Sequence, residues 1–155
     1  MTIEARLAEL GVTLPATAVA PLAVYRPAVR SGAMIYVSGQ LPTRDGAVLH
    51  PGRVGDTVTI EQAQEAARQC AINVLAAVFA LHGTLEGLRL VRTVGYVACD
   101  HEFDQHPAVV NGASMLLRDI FGEEQGVGAR IAIGVASLPL RAPVEVEAWF
   151  EVVGS

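Results

Sequence analysis

Arg130, Glu145, Asn111 and Tyr25 are the side chains whose type and setting are hardest to explain as ordinary surface or core. Arg130 opens Gly128-Ala-Arg-Ile-Ala-Ile133, a stretch that otherwise reads as a buried strand. A guanidinium at the mouth of an apolar strand needs an anion: either a protein carboxylate, or a ligand carboxylate gripped by its two-donor fork. Glu145 begins the last strand and is either that protein partner or a base acting on water. Asn111 lies on an otherwise apolar helix face, and Tyr25 sits on the first strand. Each also has a plain structural explanation: a salt bridge for Arg130 and Glu145, a cap or buried hydrogen bond for Asn111, and a core ring with a surface hydroxyl for Tyr25.

Other chemistries find little support. The sequence has no G-x-S-x-G, no glycine-rich phosphate loop opening a helix and no H-x-x-x-H pair, which disfavours a serine triad, nucleotide binding and a zinc site. His101 and His106 stand near Asp100, Glu102 and Asp104. This group reads better as a helix entry, with Asp104 as cap and both histidines exposed, than as a metal site. Cys70 and Cys99 are far apart and show no C-x-x-C spacing, so two small buried thiols in a reducing compartment are expected.

The elements that must position these residues are legible from periodicity. A short amphipathic segment near the N-terminus leads into Thr13-Leu-Pro15-Ala-Thr-Ala-Val-Ala-Pro21, an arm expected to lie along a core within a single domain spanning 1–155. A hairpin follows, from Val24–Val29 through a turn at Ser31-Gly32 to Met34–Ser38. Residues 40–56, with Pro42, Asp45-Gly46 and Pro51-Gly52, read as a loop or loose hairpin. Thr59 with Gln62 forms a capping-box pattern, the stripe Ala63, Ala67, Cys70, Ala71, Val74, Val78 and Leu81 is helical, and Gly83 closes it. A strand over Leu90–Cys99, a helix from about Pro107 to Phe121 and two further strands complete the order ββαβαββ. In the last strand Val144, Val146, Ala148, Phe150 and Val152 alternate with Glu145, Glu147, Trp149 and Glu151. The first set faces a core. This is an α+β fold: a mixed sheet with both helices on one face.

Composition bounds the partners. Hydrophobic residues make up 52% of the 155 and charged residues only 17%, against roughly 25% in an average soluble domain. The longest apolar run, Cys70–Leu81, contains Asn73 and is too short for a membrane helix. Charged residues in the first ten positions argue against a signal peptide, so a cytoplasmic chain is expected. The net charge is −5 and all eleven basic residues are arginines with no dense cluster, which argues against nucleic acid as principal partner. Met34, Tyr36, Trp149 and the residues near 131–133 leave the second face of the sheet apolar, and copies of the same sheet in a closed cyclic oligomer would cover it.

Met34-Ile-Tyr-Val-Ser-Gly-Gln-Leu-Pro42, Val110-Asn111, Ala129-Arg130 and Val135-Ala-Ser-Leu-Pro139 leading into Val144-Glu-Val-Glu-Ala148 together resemble the reactive intermediate deaminase (Rid) family, also called the YjgF or endoribonuclease L-PSP family. The resemblance implies a chorismate-mutase-like α+β fold and a homotrimer whose sheets form a central barrel with clefts between subunits. It implies hydrolysis of enamines and imines such as 2-aminoacrylate to 2-keto acids and ammonia, without a cofactor. Matched position by position, Arg130 grips the substrate carboxylate, Glu145 positions water, and Tyr25, Ser38 and Asn111 line the cleft. Ala132 stands where the family often has cysteine and leaves its backbone N–H available. Two other functions compete: a trimeric protein that binds small carboxylate metabolites without turnover, and a ribonuclease, which the acidic balance disfavours.

Overall fold

Thr59 accepts a hydrogen bond from the Gln62 amide while the Gln62 side chain accepts one from the Thr59 amide, so α2 (Ile60–His82) starts at the capping box legible in the sequence. It ends at Gly83, whose φ of 82° is the left-handed conformation that glycine adopts without strain. The computed structural model describes residues 1–154. Around α2 the chain forms α1 (Ile3–Glu9), β1 (Ala28–Ser31), β2 (Met34–Gln40), a small hairpin of β3 (Thr43–Arg44) and β4 (Ala47–Val48), β5 (Leu88–Ala98), α3 (His106–Gly126), β6 (Ala129–Val135), a 3-10 turn (Pro139–Arg141) and β7 (Val144–Val152). Among the described residues, no helix is long and apolar enough to cross a membrane.

The five-stranded sheet has the order β1-β2-β7-β5-β6, antiparallel except for the parallel pair β5 and β6 joined through α3. Val144, Val146, Ala148 and Phe150 are completely buried on the face that carries α2 and α3, as the alternation requires. Ile35 and Val37 of β2 and Val97 of β5 continue that core. From α1 and the arm, Ile3, Leu7, Leu10 and Leu14 pack against it. Asn73, fully buried in α2, donates to the carbonyls of Leu41 and Thr43 at 2.9 Å each and accepts from Gln69 at 3.2 Å. One polar side chain thus ties the β3–β4 hairpin to the helix with its hydrogen-bonding groups satisfied, which is the condition for burying it.

Two glycines set the position of α3. At Gly95 on β5 an added Cβ would fall 2.4 Å from Val110, and at Gly112 on α3 it would fall 2.1 Å from the Gln64 carbonyl oxygen of α2. The helix is pressed onto the sheet by the first and onto its neighbour by the second. The residue between Val110 and Gly112 is Asn111.

Several local expectations are corrected. The first strand begins at Ala28, and Tyr25 lies in the bends before it. Pro27 has no N–H to give to a ladder, so pairing starts after it. The hairpin turn is Gly32-Ala33, one residue later than expected. Asp104 does not cap α3: the capping position is Gln105, without a side-chain bond, and Pro107 lies in the first turn. His106 is half-buried, while His101 is exposed. The helix leaves helical geometry at Gly122 (φ 83°, ψ 169°) and makes one more turn to Gly126.

Candidate functional site

Alternation along the strands decides which residues meet. Arg130 pairs with Thr93 across the β5–β6 ladder, and Thr93 pairs with Ala148 across β5–β7, so Arg130 is on the face of the sheet that carries the helices. Glu145 pairs with Tyr96, which pairs with Ile133, so Glu145 is on the opposite face. The two residues therefore stand on different strands and different faces. The structural explanation of Arg130 as the salt-bridge partner of Glu145 does not hold within one chain.

Arg130 has its own setting. Its Nη1 donates to Asn111 Oδ1 at 2.8 Å and to Ser114 Oγ at 3.2 Å. No carboxylate among the described residues forms an ion pair with it. Two neutral side chains from one face of α3 thus hold the guanidinium at the sheet edge without an ion pair; β6, expected to be buried, is the edge strand and mostly exposed, Arg130 included. The two side chains border a cleft of about 400 Å³ between α3 and β6, whose walls include Thr93, Met115, Glu123 and Val127. Thr93 is 2% exposed, and its hydroxyl has no hydrogen-bond partner. Arg118, at the same cleft, is taken up by Asp119 at 2.8 and 2.9 Å. Ala132, two residues beyond Arg130, is half-buried and packed against the core.

Glu145 belongs to a second group. An added Cβ at Gly39 would fall 2.5 Å from Glu145 Oε1, so the carboxyl group lies directly on the glycine backbone. Burial, and then the neighbouring Glu147 carboxylate, hold Glu145 above the ordinary glutamate range. Ser38 precedes Gly39 and donates to the Arg26 carbonyl at 2.6 Å, while the Tyr25 hydroxyl accepts from the Leu22 amide at 3.3 Å. These bonds fold residues 22–27 beside the bulge that interrupts the β2–β7 register between Val37 and Gln40.

The residues singled out from sequence thus form two half-sites: Arg130, Asn111 and Ala132 on the helix face at the β6 side, and Glu145, Ser38 and Tyr25 toward the β1–β2 side. Ser114, Thr93 and Gly39 were not singled out. Ser114 could have been found, since it lies three residues beyond Asn111 and shares its helix face. Thr93 and Gly39 depend on pairing across strands and leave no local signal.

A family described as "YjgF/chorismate mutase-like, putative endoribonuclease" matches residues 4–151. Protein TCP17 of Trypanosoma cruzi is 42% identical over 151 residues, covering 97% of this chain and 94% of that protein. The crystal structure of Atu1372 from Agrobacterium tumefaciens, described as of unknown function, is 44% identical with a TM-score of 0.88, covering 99% of this chain and 93% of that one. A "putative endoribonuclease" from Shewanella oneidensis superposes with a TM-score of 0.92 at 30% identity, covering 97% of this chain and 99% of that one.

Proposed function

Because the chain belongs to the YjgF/chorismate mutase-like family, we propose that it hydrolyses small imines and enamines bearing a carboxylate, such as 2-aminoacrylate, to 2-keto acids and ammonia, in clefts assembled between the subunits of a homotrimer. The observation that carries this reading is Arg130. It is held in place by Asn111 and Ser114, faces a cleft and has no carboxylate partner among the described residues. A carboxylate ligand supplies the missing anion through a bidentate pair.

The reaction suits this equipment. The enamine takes a proton on carbon to become the iminium ion, whose carbon is electrophilic. Water adds there, and Glu145 takes one of its protons, leaving the neutral carbinolamine. The carbinolamine then collapses: Glu145 returns that proton to nitrogen, ammonia leaves, and the hydroxyl releases its proton to solvent as the keto group forms. Positioning the carboxylate and orienting one water account for most of the catalysis, because no strong nucleophile is required. A carboxyl group held above the usual glutamate range is a better proton acceptor at neutral pH than an ordinary one.

Since Arg130 and Glu145 occupy different faces of one sheet, a cleft that uses both must draw them from two copies. The uncovered face favours assembly: Ile131 and Ile133 on β6 are 40% and 38% exposed, and across β5 on the same face Tyr36 and Trp149 stand edge to face, 5.4 Å apart, with the Arg92 guanidinium over the indole. A closed ring would bring the β6 side of one copy against the β1–β2 side of the next. Complementation tests this directly. Arg130→Ala and Glu145→Gln each retain about a hundredth of the activity or less alone, but rings co-expressed from both in equal amounts regain about a quarter of the wild-type sites, because one interface in four joins an intact Arg130 to an intact Glu145. Mixed rings as inactive as either parent would refute a shared site. Binding of 2-keto acids that depends on Arg130, with no turnover of any imino acid, would instead identify a carboxylate-binding protein.

The titration of Glu145 makes a second expectation. Only the ionised carboxylate accepts a proton, so kcat/KM falls as pH drops through its pKa, and that limb lies above the position of an ordinary glutamate. Glu145→Gln loses the limb together with about two decades of rate. A pH–rate profile unchanged by this substitution would remove Glu145 from the reaction.

A further inference from the structure

Beyond the cleft of Arg130, the C-terminal end of the same strand borders a second cavity of about 410 Å³, lined among others by Arg53, Cys99, Phe103, His106 and Gly134. In it Cys99 Sγ and His106 Nε2 lie 3.3 Å apart, the reach of a thiol and its base. The pair exists because Gly134 has no side chain: an added Cβ would fall 2.6 Å from His106 Nε2 and 2.9 Å from Cys99 Sγ. Phe103 meets the imidazole edge to face with centroids 5.2 Å apart, which sets the plane of the ring. Burial raises the Cys99 thiol above its ordinary range; the nearby Arg53 guanidinium draws it down and the Asp100 carboxylate pushes it up. The thiol therefore rests protonated and needs His106 to remove its proton. Both cysteines are buried, as expected, but Cys99 keeps 6% of its surface open at the cavity, whereas Cys70 has none and its Sγ lies 3.6 Å from the Val144 carbonyl oxygen.

Arg53 indicates what would be held there. Its Nη2 donates to the Cys99 carbonyl, which anchors the guanidinium at the cavity wall, and no ion pair engages it among the described residues. Asp100 lines the same cavity and its charge is felt by Arg53, but it forms no ion pair with it: its Oδ1 accepts from the Glu102 amide at 2.9 Å and lies 3.2 Å from His101 Nδ1. A nucleophile, a base and an anchored cation thus share one wall.

We propose that Cys99, His106 and Arg53 form a covalent capture site for small carbon electrophiles that carry a carboxylate, specifically α,β-unsaturated oxo acids. Arg53 holds the carboxylate, His106 Nε2 takes the thiol proton, and Sγ bonds to the β-carbon. The electron pair of the C=C bond moves toward the oxo group, and the proton on His106 returns to the α-carbon. One C–S bond forms, the double bond is consumed, and no oxidant or reductant takes part. This site is independent of Glu145 and of imine hydrolysis.

The test uses the full chain and a pair of reagents that differ in charge, iodoacetate and iodoacetamide, with peptide mass mapping to separate Cys99 from Cys70. The folded protein is expected to label at Cys99 and not at Cys70. At Cys99 the iodoacetate-to-iodoacetamide rate ratio should exceed that of free cysteine by about tenfold, a preference on the scale of one charge-assisted contact. Arg53→Gln returns the ratio to that of free cysteine, and His106→Asn slows both reagents. Incubation with 4-oxopent-2-enoate adds the mass of one whole acid at Cys99. The wild-type ratio needs no variant, so a misfolded substitution does not rescue the idea. Labelling of Cys99 with the ratio of free cysteine, or only after unfolding, overturns it.

Discussion

Replacing Arg130 by Ala is expected to lower kcat/KM for small imino acids by two to three decades, which transition-state arithmetic converts to about 3–4 kcal/mol. The size follows from the geometry. Asn111 and Ser114 already orient the guanidinium, so in the proposed reaction a substrate carboxylate would meet a fixed donor. Arg130→Lys keeps the charge but loses the planar fork and the simultaneous contacts to Asn111 and Ser114, and is expected to recover only a small part of the loss. Freshly generated 2-aminoacrylate, followed by keto-acid release in steady-state assays, measures both variants. A loss below threefold for Arg130→Ala, in protein that retains the wild-type melting temperature, would mean that the cleft does not bind substrate through this residue.

Gly112→Ala is expected to have the largest effect on stability. The added methyl would stand 2.1 Å from the Gln64 carbonyl oxygen, a backbone atom that cannot move aside without shifting α2. Forcing the two helices apart costs about 2–3 kcal/mol, in the range measured for overpacked cores. For a chain of this size that lowers the melting temperature by roughly 4–12 °C, read by scanning calorimetry at fixed protein concentration. The same displacement moves Asn111, the neighbouring residue, away from Arg130. Activity per folded molecule should fall with stability, whereas a substitution at an exposed α2 position should leave it unchanged. A melting temperature within a degree of wild type would mean that the α2–α3 contact is looser than the structure describes.

What the sequence determined by itself was the set of elements with short-range causes. The capping box at Thr59 and Gln62, the left-handed stop at Gly83 and the alternation through Val144–Val152 each arise from residues within a few positions of one another, so their physics is present in the local string. The same locality explains the misplaced Tyr25 and Asp104. Aromatic and acidic residues near an element boundary suggest a strand or a cap, but Pro27 delays the ladder and the helix begins one residue further on, after Gln105.

The arrangement of the site had no such local cause. Arg130 reaches Asn111 because the β5–β6 pair is parallel and the crossover helix lies over it, while two glycines, at 95 and 112, let that helix settle close enough. Whether Arg130 and Glu145 form a salt bridge depended on register, since moving a strand by one residue exchanges the two faces of a sheet. The observed register separates them, turning a pair of charges that the sequence left open as mutual partners into one cation without an ion pair and one half-buried acid. Residue types and their order were enough to nominate the chemistry, but pairing across distant strands decided which of those residues could act together.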